Sequence, residues 1–120
     1  MAHENIEFDT TLGVTAVDRV FRTVIADKAP AAEIGSVEVA EGRSDELGRY
    51  AQGKSLVSQW CVQLFVRDDG DSRHVQLIVL GSSAIGKAWN GTRGSFSLSA
   101  GQLKAVAVID ALKIAQRALG

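Results

Sequence analysis

The sequence predicts an α+β domain in which two helices pack on one face of a curved antiparallel sheet, in the order β-α-β-β-β-β-α. Three observations predict it. Residues from Leu56 to Leu98 alternate apolar with polar between turn residues, as a three-strand meander does; Val14 to Ile25 and Gln102 to Leu119 instead repeat their apolar residues every three or four positions. At 120 residues and 46% apolar composition, the chain suits a single domain, 1–120, with one core.

The opening strand rests on Ile6 and Phe8, which alternate with polar neighbours, and Asp9, Thr10 and Thr11 offer side-chain oxygens for a helix start. Val14, Val17, Val20, Phe21, Val24 and Ile25 then form one side of a helix that has Thr15, Asp18, Arg19, Arg22 and Ala26 on the other, and Pro30 stops it. Ile34 to Ala40 alternates weakly and predicts a second strand. Glu41 to Lys54 is polar and holds Gly42, Gly48 and Gly53, so it predicts a long connection with one short turn near Leu47 and Tyr50.

In the meander, Leu56, Trp60, Val62, Leu64 and Val66 share one face, as do Val75, Leu77 and Val79. Joining those faces with Asp68-Asp69-Gly70-Asp71 as the loop sets Val66 opposite Arg73, Leu64 opposite Val75, Val62 opposite Leu77 and Trp60 opposite Val79. In that register Cys61 faces Ile78, and Phe65 faces His74. Asn90-Gly91 is a two-residue hairpin signal that pairs Trp89 with Thr92 and Ile85 with Phe96, and the strand from His74 to Trp89 is expected to curve at Gly81 and Gly86. In the last helix, Leu103, Ala107, Val108, Ala111, Leu112, Ile114, Ala115, Ala118 and Leu119 cover an arc of roughly 200° broken only by Lys104, which predicts extensive burial. A small-residue stripe of Ala107, Ala111, Ala115 and Ala118 runs along the middle of that arc. The order resembles in shape the TATA-binding-protein-like and helix-grip arrangements, in which a long terminal helix crosses a curved sheet; the resemblance implies shape and nothing about activity.

Charge excludes two classes of partner. Lysine and arginine total 13 against 14 acids, with no run of either sign, so neither a nucleic acid nor an anionic membrane surface is expected. One cysteine, Cys61, rules out an intramolecular disulfide framework, and Met1 to Phe8 carries no apolar core of signal-peptide length; together these point to a soluble cytoplasmic protein.

The chemical motifs are weak. Gly81-Ser82-Ser83-Ala84-Ile85-Gly86-Lys87-Ala88 follows an apolar run as a phosphate-binding loop does, but Ala88 stands where the magnesium ligand belongs and Trp89-Asn90-Gly91 favours a turn where a helix must begin. Asp68, Asp69 and Asp71 lack the glycine and distal glutamate positions of a calcium loop. His3 and His74 have no histidine or cysteine at ligand spacing, so neither a metal nor a cofactor is expected. Cys61 reads as a small buried hydrophobe, and Asp110, Lys113 and Arg117 as salt-bridging residues of the helix surface. No catalytic constellation emerges.

Two surfaces stand above this background. Ser58, Trp60, Lys87 and Trp89 project to the helix side at one end of the sheet, where they would line a site for an apolar small molecule between the sheet and the last helix. On the opposite face Val57, Cys61, Phe65, Ile78 and Leu80 interleave with Gln59, Gln63, Gln76 and His74, too apolar a mixture for a solvated sheet, and predict a homodimer interface. The two expectations are thus a ligand-binding domain and a homodimeric assembly module.

Overall fold

A computed structural model describes residues 3–39, 46–54, 59–80 and 98–119. Its elements are β1 (His3–Thr10), α1 (Val14–Lys28), β2 (Glu33–Ser36), β3 (Leu47–Lys54), β4 (Gln59–Asp68), β5 (Arg73–Leu80) and α2 (Leu98–Leu119). They form one unclosed antiparallel sheet in the order β1-β5-β4-β3-β2, with both helices on one face. β1 and β2 occupy opposite edges, so α1 crosses the sheet to join them, while α2 runs over β1, β5 and β4 and packs against α1.

The order of elements agrees with the sequence prediction, but the strands filling it differ. The expected connection over 41–54 contains β3, which pairs with β4 along its whole length from Leu47 opposite Val66 to Lys54 opposite Gln59. Glycines hid this strand, and aromatic rings explain them. Gly35, Gly48 and Gly53 stand directly across the ladder from Tyr50, Phe65 and Trp60. A Cβ on Gly53 would lie 2.9 Å from the Trp60 ring, and one on Gly35 would lie 2.5 Å from the Tyr50 ring. The rings thus cover the backbone that Gly35 and Gly53 leave bare, as in aromatic rescue of strand glycines, whereas a Cβ on Gly48 would meet the Val37 carbonyl oxygen. Arg49 breaks the alternation from the core face of β3: its Nε lies 3.2 Å from Asp18 Oδ1 of α1, in ion-pair range though not aligned for a hydrogen bond.

The β4–β5 register is shifted by two residues from the expected one. Val66 faces Val75, Leu64 faces Leu77 and Val62 faces Val79. Consequently Gln63, not Cys61, faces Ile78, and His74 faces Arg67 instead of Phe65. A two-residue shift keeps every side chain on its own face, so alternation alone cannot detect it. The observed register removes a Val66–Arg73 mismatch and sets Arg73 opposite Asp68, with Nε 3.5 Å from Oδ1. The loop is Asp69 to Ser72, closed by Asp69 N–H donating to the Ser72 carbonyl at 2.9 Å, with Gly70 at a left-handed φ of 96°.

Smaller corrections concern the ends. Helix α1 begins after Gly13 with no side-chain cap, because Thr10 Oγ1 instead accepts the Leu12 N–H at 3.1 Å. β2 ends at Ser36 rather than Ala40, though Val37 N–H still donates to the Gly48 carbonyl at 3.0 Å. Leu98, expected at the end of a strand, opens α2. The Asn90-Gly91 hairpin and the bends at Gly81 and Gly86 lie outside the described residues.

The core lies between the sheet and the helices. Val17, Phe21 and Ile25 of α1, and Ala105, Val108, Ile109 and Leu112 of α2, close over Val62, Leu64, Val66, Val75, Leu77 and Val79. α2 lies close to the sheet at Gly101, where a Cβ would lie 2.5 Å from Val79 Cγ1 and 3.6 Å from the Cys61 carbonyl oxygen.

Candidate functional site

Trp60 is the described member of the expected ligand-site group; Ser58, Lys87 and Trp89 lie outside the described residues, as does Val57 of the other group. Trp60 is buried on the core face of β4 against Gly53, and the Lys104 ammonium of α2 sits 4.9 Å from its ring centroid. A lysine over this tryptophan therefore exists, contributed by α2, and makes a cation–π contact.

The outer sheet face brings Cys61, Phe65, Ile78 and Leu80 together as expected from their parity. Cys61, Phe65 and Leu80 are nevertheless buried in the single chain, Ile78 is half-buried, and Gln63 between them is buried as well. Burial pushes the Cys61 thiol up to about 12, so it is protonated near neutrality and a poor nucleophile. On the same face, Gln52 Nε2 donates to Glu33 Oε1 at 3.2 Å and the Tyr50 hydroxyl donates to the other Glu33 oxygen. That hydrogen bond, with burial, pushes the Tyr50 phenol up to about 12. Neither group titrates where general acid–base catalysis needs it.

His74 is more strongly engaged. Its Nδ1 lies 2.7 Å from Asp9 Oδ1 and its Nε2 lies 2.6 Å from Glu7 Oε1, both on β1. The bond to Asp9, with a further one to Glu7, raises the imidazole above its ordinary value, against a smaller opposing effect of burial. In the nearby turn, Arg67 Nε donates to Asp69 Oδ1 at 2.9 Å and lowers that carboxyl, while Asp68 Oδ1 accepts the Gly70 N–H at 2.9 Å. Among the described residues, no three histidine, cysteine or acidic side chains are placed to hold a metal ion, and no helix is long and apolar enough to cross a membrane.

Sequence reasoning missed a third surface, the outward face of α2. Leu103, Val106 and Ile114 are 72%, 50% and 63% exposed, and they are the large apolar side chains left exposed among the described residues. At ~100° per residue they fall within an arc of roughly 80°, opposite the buried Gly101, Ala105, Val108 and Leu112. The expected burial of Leu103 and Ile114 is thus corrected. Gly101 and Ala105 permit close approach to the sheet, where Val108, Ile109 and Leu112 are also buried, while Leu103, Val106 and Ile114 point outward. The alanine stripe sits on the flank, with Ala107, Ala111 and Ala115 half-buried and Ala118 exposed. Asp110 and Arg117 lie within that outward arc, Asp110 midway between Val106 and Ile114, and Lys113 borders it; all three are exposed.

Comparison of the chain with protein-family models, curated proteins and solved structures finds no match.

Proposed function

We propose that this chain is a non-catalytic interaction module that self-associates through the outward face of α2. The carrying observation is the co-facial exposure of Leu103, Val106 and Ile114 on a helix already buried on its opposite side. Single exposed apolar residues are ordinary surface features; three on one helical face form a strip about 16 Å long, interrupted by Asp110 between Val106 and Ile114. A second copy suits the strip because Leu103 and Ile114 bracket it symmetrically. An antiparallel pair whose two-fold axis passes the outward face at the level of Val108 and Ile109 sets each Leu103 against Ile114 of the other copy, with Asp110 of each copy near the axis and Lys113 at the rim. Such a helix pair is small, so a dimer dissociating at micromolar or higher concentration is expected.

This keeps the expected homodimer and moves its seam from the outer sheet face, whose apolar residues are largely buried in the single chain, to α2. The buried free Cys61 accords with a cytoplasmic, reducing setting. Sedimentation equilibrium tests the reading. The weight-average mass should rise with concentration and stay monomeric in Leu103→Lys/Ile114→Lys; a wild-type monomer at roughly 500 μM excludes it.

The alternative, an apolar small molecule between the sheet and α2, is supported by Trp60 beside Lys104 and by the half-buried alanines. The close approach at Gly101 limits the room for it at that end of the seam. Saturable binding of a fluorescent apolar probe, lost on Trp60→Ala in a folded variant, would favour the ligand reading instead.

A further inference from the structure

We propose that His74 is a proton-dependent clasp fastening the edge strand β1 to the sheet. Among the described residues β1 pairs on one side, with β5, and His74 lies directly across that ladder from Asp9. The imidazole reaches two alternate carboxylates of β1 at once, Asp9 through Nδ1 at 2.7 Å and Glu7 through Nε2 at 2.6 Å. Only the imidazolium donates from both nitrogens. Loss of the proton leaves one nitrogen with a lone pair facing a carboxylate, so one of the two attractions becomes a repulsion.

The neighbouring charges fit this role. Across the other ladder stands Arg67 of β4, whose guanidinium is drawn to Asp69 of the turn at 2.9 Å. Arg73, next in β5, projects to the opposite face, where Asp68 lies 3.5 Å away and the Thr11 carbonyl 3.4 Å away. Glu7, Asp9 and Asp69 therefore favour the charged ring, and Arg67 is locally neutralised. β1 has other fastenings: Ile6 and Phe8 pack on the core, Gln102 donates to Glu4, and Thr11 N–H donates to Gln116 Oε1 at 3.2 Å. Release of the clasp accordingly loosens the strand without detaching it.

The histidine has a raised folded-state proton affinity, so its contribution is complete below the unfolded value near 6.5 and is lost as pH rises through the folded value.

Amide hydrogen exchange of β1 relative to β4, corrected for intrinsic rates, tests the clasp at roughly pH 6 and pH 9. Protection of β1 should fall about threefold between them in the wild type. In His74→Gln it should be unchanged. By NMR, His74 should titrate above 6.5 in the wild type and lower in Glu7→Gln, which retains the fold whatever His74→Gln does. A ring titrating at or below 6.5, or wild-type β1 protection unchanged between the two pH values, overturns the proposal. The readouts lie on β1 and β5, so they stand or fall separately from self-association through α2.

Discussion

The two helices share one sheet face, yet they solve different problems. α1 is amphipathic in the ordinary sense: Val17, Phe21 and Ile25 are buried, while Thr15, Arg19, Arg22 and Thr23 face solvent. Asp18, on its half-buried flank, meets both Arg22 of the same helix and Arg49 of β3 at 3.2 Å. α2 buries Gly101, Ala105, Val108, Ile109 and Leu112 and leaves Leu103, Val106 and Ile114, with Asp110 among them, in solvent on the opposite side. α1 thus leaves no large apolar side chain exposed, whereas α2 leaves three, which the proposed self-association would cover.

Four substitutions break or sharpen this contrast. Phe21→Ala empties the buried side of α1 and is expected to cost about 3–5 kcal/mol in denaturant unfolding. Gly101→Val forces a side chain into the close contact between α2 and the sheet, at Val79, and should cost about 1–3 kcal/mol, partly recovered by Val79→Ala. Asp18→Ala removes the ion pairs with Arg22 and Arg49 on the flank of α1, and thermal unfolding should register about 1 kcal/mol or less because those groups are only partly buried. Leu103→Lys/Ile114→Lys should change monomer stability least, by about 0.5 kcal/mol or less per site, while abolishing self-association. If the double variant unfolds the monomer instead, the stripe belongs to the core and the contrast fails.

Much of the fold was legible because burial writes itself into alternation. β4 and β5 keep their faces without exception, and the spacing of Val17, Phe21 and Ile25 marks α1 clearly. β3 was not legible, because its pattern depends on other strands. Gly48 and Gly53 read as loop residues until Phe65 and Trp60 are seen across from them, and Arg49 reads as exposed until Asp18 of α1 is placed above it. The hairpin register escaped for a different reason, since a slip of two preserves every face. A sharper cue was available: the observed register sets Arg73 against Asp68, which the expected one leaves inside the loop.

The surfaces were harder to read than the fold. Trp60 was correctly placed toward the helices, but its lysine partner, Lys104, comes from a helix more than forty residues away in sequence. The outer-face group of Cys61, Phe65, Ile78 and Leu80 was correctly gathered by parity, although parity says nothing of how deeply neighbouring side chains bury it. On α2 the apolar arc was too broad to orient. Only the small residues Gly101 and Ala105 signal which side approaches the sheet, and they fix Leu103 and Ile114 on the other.

Chemical-shift mapping on dilution tests the central claim most directly. Between roughly 500 μM and 10 μM, progressive shifts should be confined to α2 and centred on Leu103, Val106 and Ile114, and they should vanish in the double lysine variant. Shifts centred on Ile78 and the outer sheet face, or no change with concentration, would contradict it.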